Sequence, residues 1–202
     1  MKITKIETQV KAHGRYSVFV DNKFEFGLSE LALINSGIKV GQDVSAKDLE
    51  KFKQESSLDK MYGRLLDLLA RRPRSEWELR DYLNRKKVDS SNIDELLNRI
   101  SNSGYINDES FAKRWIESRR LLKSTSIRKL TMELRQKRIS DEIITKALSL
   151  DETDEQEVLK ELIAKKRTQT RYQDDVKLMQ YLARQGFGYD DIKCVMNEVD
   201  LL

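Results

Sequence analysis

Few residues in this chain could act as an acid, base, nucleophile or metal ligand, and those few are scattered. His13 is the only histidine, and it stands beside Gly14 with no second imidazole or thiol nearby, so it reads as an exposed turn residue. Cys194, the only cysteine, lies among Ile192, Val195 and Met196 in a helical stretch and reads as a small core residue. One thiol permits neither an internal disulfide nor a cysteine-based zinc cage. Acidic pairs occur at Asp94-Glu95, Asp108-Glu109, Asp141-Glu142, Asp174-Asp175 and Asp190-Asp191. Converging carboxylates would suit a metal-dependent nuclease, but most of these pairs fall at expected helix starts, where negative charge meets unpaired backbone N–H groups. No Gly-rich loop ends in Gly-Lys-Ser/Thr, and no Gly-x-Gly-x-x-Gly follows a strand, so the usual cradles for ATP and dinucleotides are missing. The expectation is a protein that is not an enzyme, with no catalytic residues, metal or cofactor.

Cationic side chains are what the chain has in quantity, and they are unevenly spread. The net charge is +4 over 202 residues; residues 1–59 are neutral, residues 60–150 carry 21 basic against 13 acidic groups, and residues 151–202 carry 8 against 12. The basic middle suits a polyanion or an acidic protein groove. Arg71, Arg72, Arg74, Arg80, Lys86 and Lys87 form one cluster, and Arg114, Arg119, Arg120, Arg128 and Arg135 a second. Guanidinium donors sit in a planar fork that matches phosphate or carboxylate oxygens. No helix presents a distinct set of base-reading residues, so contact with nucleic acid would go to the backbone. Solvated helix faces with nearby Asp and Glu partners are the plainer account of the same charges. Trp77 and Trp115 read as packing at helix junctions.

The elements that must position these charges are mostly helices. Eight glycines and one proline leave little punctuation, which favours long regular segments. The N-terminal part differs: Ile3, Ile6, Val10, Tyr16, Val18, Val20, Phe24 and Phe26 suggest short strands, with a tight turn at Asp21-Asn22-Lys23. Ser29 can cap a short helix ended by Gly37, and Ser45 with Asp48 can open another running to about Gln54. From Leu58 the apolar period becomes helical: Met61, Leu65, Leu68 and Leu69 precede Pro73, Ser75 and Glu78 form a capping box, and Ile93, Leu96, Leu97 and Ile100 line a third helix.

That three-helix pattern returns. Leu79, Leu83, Val88, Ile93 and Leu97 are matched 51 residues on by Leu130, Leu134, Ile139, Ile144 and Leu148, and a further 48 on by Leu178, Leu182, Phe187, Ile192 and Met196. The fold class expected is mainly α, with tandem three-helix bundle repeats in an elongated array behind a small N-terminal β-hairpin/α module. The divisions expected are residues 1–57, 58–107, 108–150 and 151–202, with flexing at residues 101–107 and 150–154. No apolar run is long enough to span a bilayer and no targeting segment is visible, so a cytoplasmic, membrane-free, monomeric protein is expected.

These residues resemble the RecX family, bacterial regulators of the RecA recombinase. The likeness rests on Arg74-Ser75 with Glu78-Leu79-Arg80 and Leu83; on Gly104-Tyr105-Ile106-Asn107-Asp108-Glu109-Ser110-Phe111-Ala112 with Ser118-Arg119; and on Ile127-Arg128 through Glu133-Leu134 to Lys137 and Ile139. The match is close over about residues 60–148, and the repeat carries it to the end. The chain departs from the family where Ser124 and Ser126 replace the usual glycines after Lys123, and where Arg138 stands in place of the Gly that often precedes Ile. The resemblance implies a modulator that binds the groove of a RecA filament on single-stranded DNA and inhibits filament extension, ATPase activity, strand exchange and coprotease activity, with direct contact to single- or double-stranded DNA as a further property. The residues it assigns to that contact are the two clusters already named. A general backbone-reading DNA-binding protein and a helical protein-interaction scaffold are the rival readings.

Overall fold

The computed structural model describes residues 1–10 and 12–199, and among them the chain forms two compact units. One comprises Met1–Pro73 and Leu79–Tyr105; the other comprises Arg74–Glu78 and the residues from Ile106 onward.

The first unit opens with strands β1 (Ile3–Thr8), β2 (Arg15–Val20) and β3 (Lys23–Ser29), which make an antiparallel sheet in the order β1-β2-β3. Asp21 and Asn22 both take positive φ, 47° and 65°, which a two-residue hairpin needs in order to follow the right-handed twist of its strands. The inward side chains Ile3, Val18, Val20, Phe26 and Leu28 pack with Ile38, Val44 and Leu49. Helix α1 (Glu30–Ser36) begins at the Ser29 cap and stops at Gly37, whose φ of 64° satisfies the left-handed exit.

Helix α2 (Ala46–Arg71) starts with the Ser45–Asp48 capping box and runs unbroken for 26 residues, through the point where the sequence suggested that one helix ends and another begins. The polar run Glu55-Ser56-Ser57 is not a break, because Ser56 Oγ donates to Gly27 O at 2.6 Å and so ties the helix to the sheet. Asp59, buried on the same helix, accepts from Ser29 N (2.8 Å) and Ser29 Oγ (2.5 Å) and pairs with Arg15 (3.1 Å). Helices α3 (Glu76–Arg85) and α4 (Ser90–Asn102) follow, with Leu65, Leu79, Leu83, Ile93, Leu96, Leu97 and Ile100 all buried.

The second unit continues with α5 (Asp108–Lys123), α6 (Ile127–Gln136), α7 (Asp141–Ser149), α8 (Glu155–Arg167), a 3-10 turn at Thr170–Tyr172, α9 (Asp175–Arg184) and α10 (Tyr189–Val199). Of the fifteen positions in the repeat, thirteen are buried, and Val88 and Leu148 are half-buried. The repeat extends to the backbone. The second helix of each set ends with an N–H returning to a carbonyl five residues earlier: Val88 to Leu83, Ile139 to Leu134 and Phe187 to Leu182, at 3.2, 3.2 and 3.3 Å. Just before each donor stands a positive-φ residue, Lys87 (58°), Arg138 (58°) or Gly186 (92°), as this helix exit requires. Arg138 thus keeps the left-handed turn despite its side chain.

Several smaller expectations change. Cys194 is exposed, with its thiol toward Glu198 at 3.7 Å, because it falls off the stripe made by Ile192, Val195 and Met196. Trp77 is 39% exposed instead of packed, whereas Trp115 lies against Phe111 with ring centroids 5.6 Å apart. Four acidic pairs stand at helix starts, but Asp94-Glu95 lies beyond the first turn of α4 and Asp94 binds Arg80. The segment 150–154, expected to flex, is anchored by Asp151, which accepts from Arg120 at 2.8 Å and from Thr153 Oγ1 at 2.5 Å.

Candidate functional site

The cationic side chains fall into classes set by what each touches. Arg71, Lys87, Arg114 and Arg128 are exposed and make no ion pair or side-chain hydrogen bond among the described residues. Their charge faces water without an internal competitor, which suits capture of an anionic surface. Lys86 is exposed, lies 5.7 Å from the Tyr82 ring centroid and has no carboxylate partner among the described residues. Arg72 donates to Pro73 O at 2.9 Å, and Arg74 is half-buried.

The other assigned residues are engaged. Arg80 pairs with Asp94 at 2.6 Å, and Arg135 with Asp141 at 2.7 Å; both pairs are exposed enough to exchange for an outside anion at little cost. Arg119 is tighter: its Nε donates to Glu133 Oε2 at 2.7 Å while its guanidinium lies 4.5 Å from the Trp115 ring, and Trp115 Nε1 donates to the same oxygen at 2.9 Å. Lys137 approaches the Trp115 ring at 5.4 Å and binds Glu78 at 2.6 Å, completing a cluster whose members hold one another.

Arg120 is a correction. Its side chain is only 8% exposed, Nε donates to Asp151 at 2.8 Å and Nη1 donates to Thr125 O at 2.7 Å. It joins the end of α5 to the turn before α6 and to the segment before α8, and presents no charge to a partner. Burial disfavours the Asp151 carboxylate, but the hydrogen bonds from Thr153 and Arg120 outweigh it and hold the group below its ordinary value.

The second unit is built on two junctions with the same plan. In the first, the buried Ser75 Oγ accepts from Glu78 N (3.3 Å) and donates to Lys137 O (3.1 Å), Glu76 N donates to Asp108 Oδ1 (3.0 Å), and Lys137 Nζ donates to Glu78 Oε1 (2.6 Å). In the second, the buried Ser126 Oγ accepts from Lys129 N (3.2 Å) and donates to Gln185 O (2.7 Å), Ile127 N donates to Glu155 Oε1 (3.0 Å), and Lys129 Nζ donates to Gln185 Oε1 (2.7 Å). A helix start is thereby satisfied by its own cap and by the neighbouring three-helix set together. Burial raises Asp108 above its ordinary value, partly opposed by the bond from Glu76 N.

Sequence reasoning placed Lys123 on the basic face but assigned it no contact, and missed Lys165 and Lys166; none of the three has a carboxylate partner among the described residues. The net negative count of residues 151–202 concealed the last two.

Family models match four consecutive stretches: the Regulatory protein RecX N-terminal domain at residues 1–45, and the first, second and third three-helix domains of RecX at residues 62–99, 107–148 and 152–196. The Regulatory protein RecX of Bacillus subtilis (strain 168) is 31% identical over 98% of this chain and 77% of its own length. That of Leuconostoc mesenteroides subsp. mesenteroides is 30% identical over 98% and 76%. A crystal structure of regulatory protein RecX superposes with a TM-score of 0.74 and 25% identity, covering 97% of this chain and 98% of its own.

Proposed function

The chain belongs to the RecX family of regulatory proteins, and from that premise we propose that it modulates the RecA recombinase without catalysing a reaction. It lies in the groove of the RecA filament on single-stranded DNA and inhibits filament extension, and with it ATP hydrolysis, strand exchange and coprotease activity. The observation that carries this reading is the unbroken order of four RecX domain matches from residue 1 to residue 196. The partner-free cations Arg71, Lys87, Arg114 and Arg128 support it, since each can meet a recombinase carboxylate or a DNA phosphate without first giving up an internal bond. The paired Arg80 and Arg135 add charge that is exchanged on docking, while Arg119 shapes the surface through Trp115 and Glu133.

ATP turnover by RecA on single-stranded DNA tests this. Turnover falls as the protein approaches stoichiometry with RecA; an unchanged rate refutes the proposal. Replacing Arg71, Arg114 and Arg128 by Glu weakens inhibition at least tenfold while the helical circular-dichroism signal stays intact, because none of the three supports the fold. Equal inhibition by the triple variant removes these residues from the docking surface.

A further inference from the structure

Residues 151–202 carry an acidic excess, yet helices α8 and α9 within them form one side of a cleft lined by lysine. Lys123, Ser124, Thr125 and Lys129 from the α5–α6 corner, with Lys165 and Lys166 from α8, line most of a cavity of about 340 Å³ in the second unit. None of these four lysines has a carboxylate partner among the described residues, and Lys129 Nζ donates to the neutral Gln185 amide at 2.7 Å. The one carboxylate at the lining, Glu133, already binds Arg119 at 2.7 Å and Trp115 at 2.9 Å. Four ammonium groups thus repel one another across the seam between the second and third three-helix sets. The occupant that relieves them is an anion.

Two further observations narrow the chemistry of that anion. Thr125 is only 2% exposed and lines the cavity, and its hydroxyl has no hydrogen-bond partner among the described residues. Burying a hydroxyl without a partner costs stability, and a ligand oxygen in the cleft would supply one. The aromatic part of the wall is already taken: Lys166 Nζ lies 4.7 Å from the Tyr181 ring centroid and 5.4 Å from that of Tyr172, and the two rings are 5.1 Å apart. Bases of a nucleic-acid strand need open ring faces on which to stack, and here Lys166 covers both rings. Ammonium groups act as point charges toward phosphate, and hydroxyls donate to its oxygens. A chain of directly linked phosphates carries a charge on each phosphate and a second at its free end, so it concentrates enough charge to meet lysines on both sides of the seam. A single phosphate does not.

We propose that this cleft binds a condensed phosphate chain, supplied as free inorganic triphosphate or as the tail of a nucleoside triphosphate, and that the bound chain clamps the second three-helix set to the third. It cancels the repulsion between Lys123 and Lys129 on one side and Lys165 and Lys166 on the other, so the seam is firmer with the ligand than without it. No recombinase takes part. The inference therefore stands or falls apart from the modulator reading above.

The test is isothermal titration calorimetry of the full chain alone with inorganic triphosphate at about 0.1 M salt, with the melting temperature as a second readout. Triphosphate binds with a stoichiometry of one per chain, orthophosphate binds at least about tenfold more weakly, and saturation with triphosphate raises the melting temperature by about 3 °C or more. Lys123→Gln combined with Lys165→Gln, both exposed and outside every ion pair, weakens binding at least about tenfold without lowering the melting temperature of the unliganded chain, because it removes repulsion. Thr125→Val weakens binding about threefold or more, by deleting one hydrogen bond. Lys193→Gln, exposed and outside the cleft, leaves affinity within about twofold. Adenosine and uridine triphosphates distinguish the sources: a nucleotide bound about tenfold more tightly than inorganic triphosphate identifies the nucleoside triphosphate, and equal affinity identifies the free chain. Any of these results overturns the proposal: no binding by the unaltered chain, equal binding by the double variant, a lower melting temperature of the unliganded double variant, or orthophosphate bound as tightly as triphosphate. Displacement of triphosphate by oligothymidylate at equal phosphate concentration does the same, by assigning the cleft to a nucleic-acid strand. Inhibition of RecA is read separately in the ATP-turnover assay, so failure of one assay leaves the other interpretable.

Discussion

The two junctions of the second unit perform the same task with different side chains. Ser75 and Ser126 each satisfy their own helix start and donate to a carbonyl of the next three-helix set, but the second bond is shorter, 2.7 against 3.1 Å. The reason lies one residue past the acceptor. A Cβ on Gly186 would stand 2.5 Å from Ser126 Oγ and 3.2 Å from Lys129 N, so the turn approaches this closely only because the Cβ is absent. At the first junction Arg138 occupies that place, at φ 58°, and the gap is wider. The side-chain clasp differs too, being the ion pair Lys137–Glu78 in one and the Lys129–Gln185 hydrogen bond in the other. What recurs is therefore the backbone geometry and the serine hydroxyl; charge and the glycine are local solutions to the same approach.

The largest expected effect separates the two exits. Gly186→Ala forces a side chain into a left-handed turn and against Ser126, and costs about 2–4 kcal/mol in urea unfolding. Arg138→Gly relieves the left-handed strain and changes stability by no more than about 1 kcal/mol, toward gain. Equal losses at both positions would remove the distinction drawn here.

Next come the hydroxyls. Ser126→Ala and Ser75→Ala each delete a helix cap and the donor to a buried-side carbonyl, costing about 1–2 kcal/mol by the same measurement, with the greater loss at Ser126, where the bond is shorter. The smallest effect is one of pH. Asp108 is held above the ordinary carboxylate value of about 3.9 by burial, so the folded state keeps its proton longer than the unfolded state does. Its contribution to stability is present at low pH and declines as pH rises from about 3.9 through the raised folded value. Asp151, held low, has the opposite sign: its contribution is present above about 3.9 and lost as pH falls through the depressed folded value. Melting temperatures of Asp108→Asn and Asp151→Asn between about pH 3 and pH 6 should therefore diverge from the parent in opposite directions; a common slope would contradict the assignment.

The repeated core was readable in the sequence because burial in a helix is periodic: Leu79, Leu130 and Leu178, with their partners four residues on, are all fully buried. The Asp21-Asn22 turn and the Ser29, Ser45 and Gly37 caps were readable for the same local reason. Two misplacements had a signal that could have been used. Arg120 continues the i, i+4 stripe of Ala112 and Ile116, which marks it as buried, and Cys194 lies off the stripe of Ile192 and Met196, which marks it as exposed. The continuity of α2 through Ser56 and Ser57 was likewise available, since neither Gly nor Pro stands between Ala46 and Tyr62.

The junctions were not readable. Ser75 and Lys137 are 62 residues apart, Ser126 and Gln185 are 59, and in both cases the acceptor is a backbone carbonyl, which no side-chain type announces. The candidate surface was legible as an excess of charge but not as a set of contacts. Counting by segment credited Arg120, which is buried and paired, and passed over Lys165 and Lys166, which have no acid beside them.

The central claim, that this chain restrains the RecA filament, is tested most directly by following the extension of fluorescent RecA filaments on single-stranded DNA, one filament at a time, as the protein is introduced. The account predicts that extension stops or reverses as the protein approaches stoichiometry with RecA, and that the Arg71→Glu, Arg114→Glu, Arg128→Glu variant leaves most growth intact. Filaments that continue to lengthen at the unaltered rate in the presence of the parent protein would contradict it.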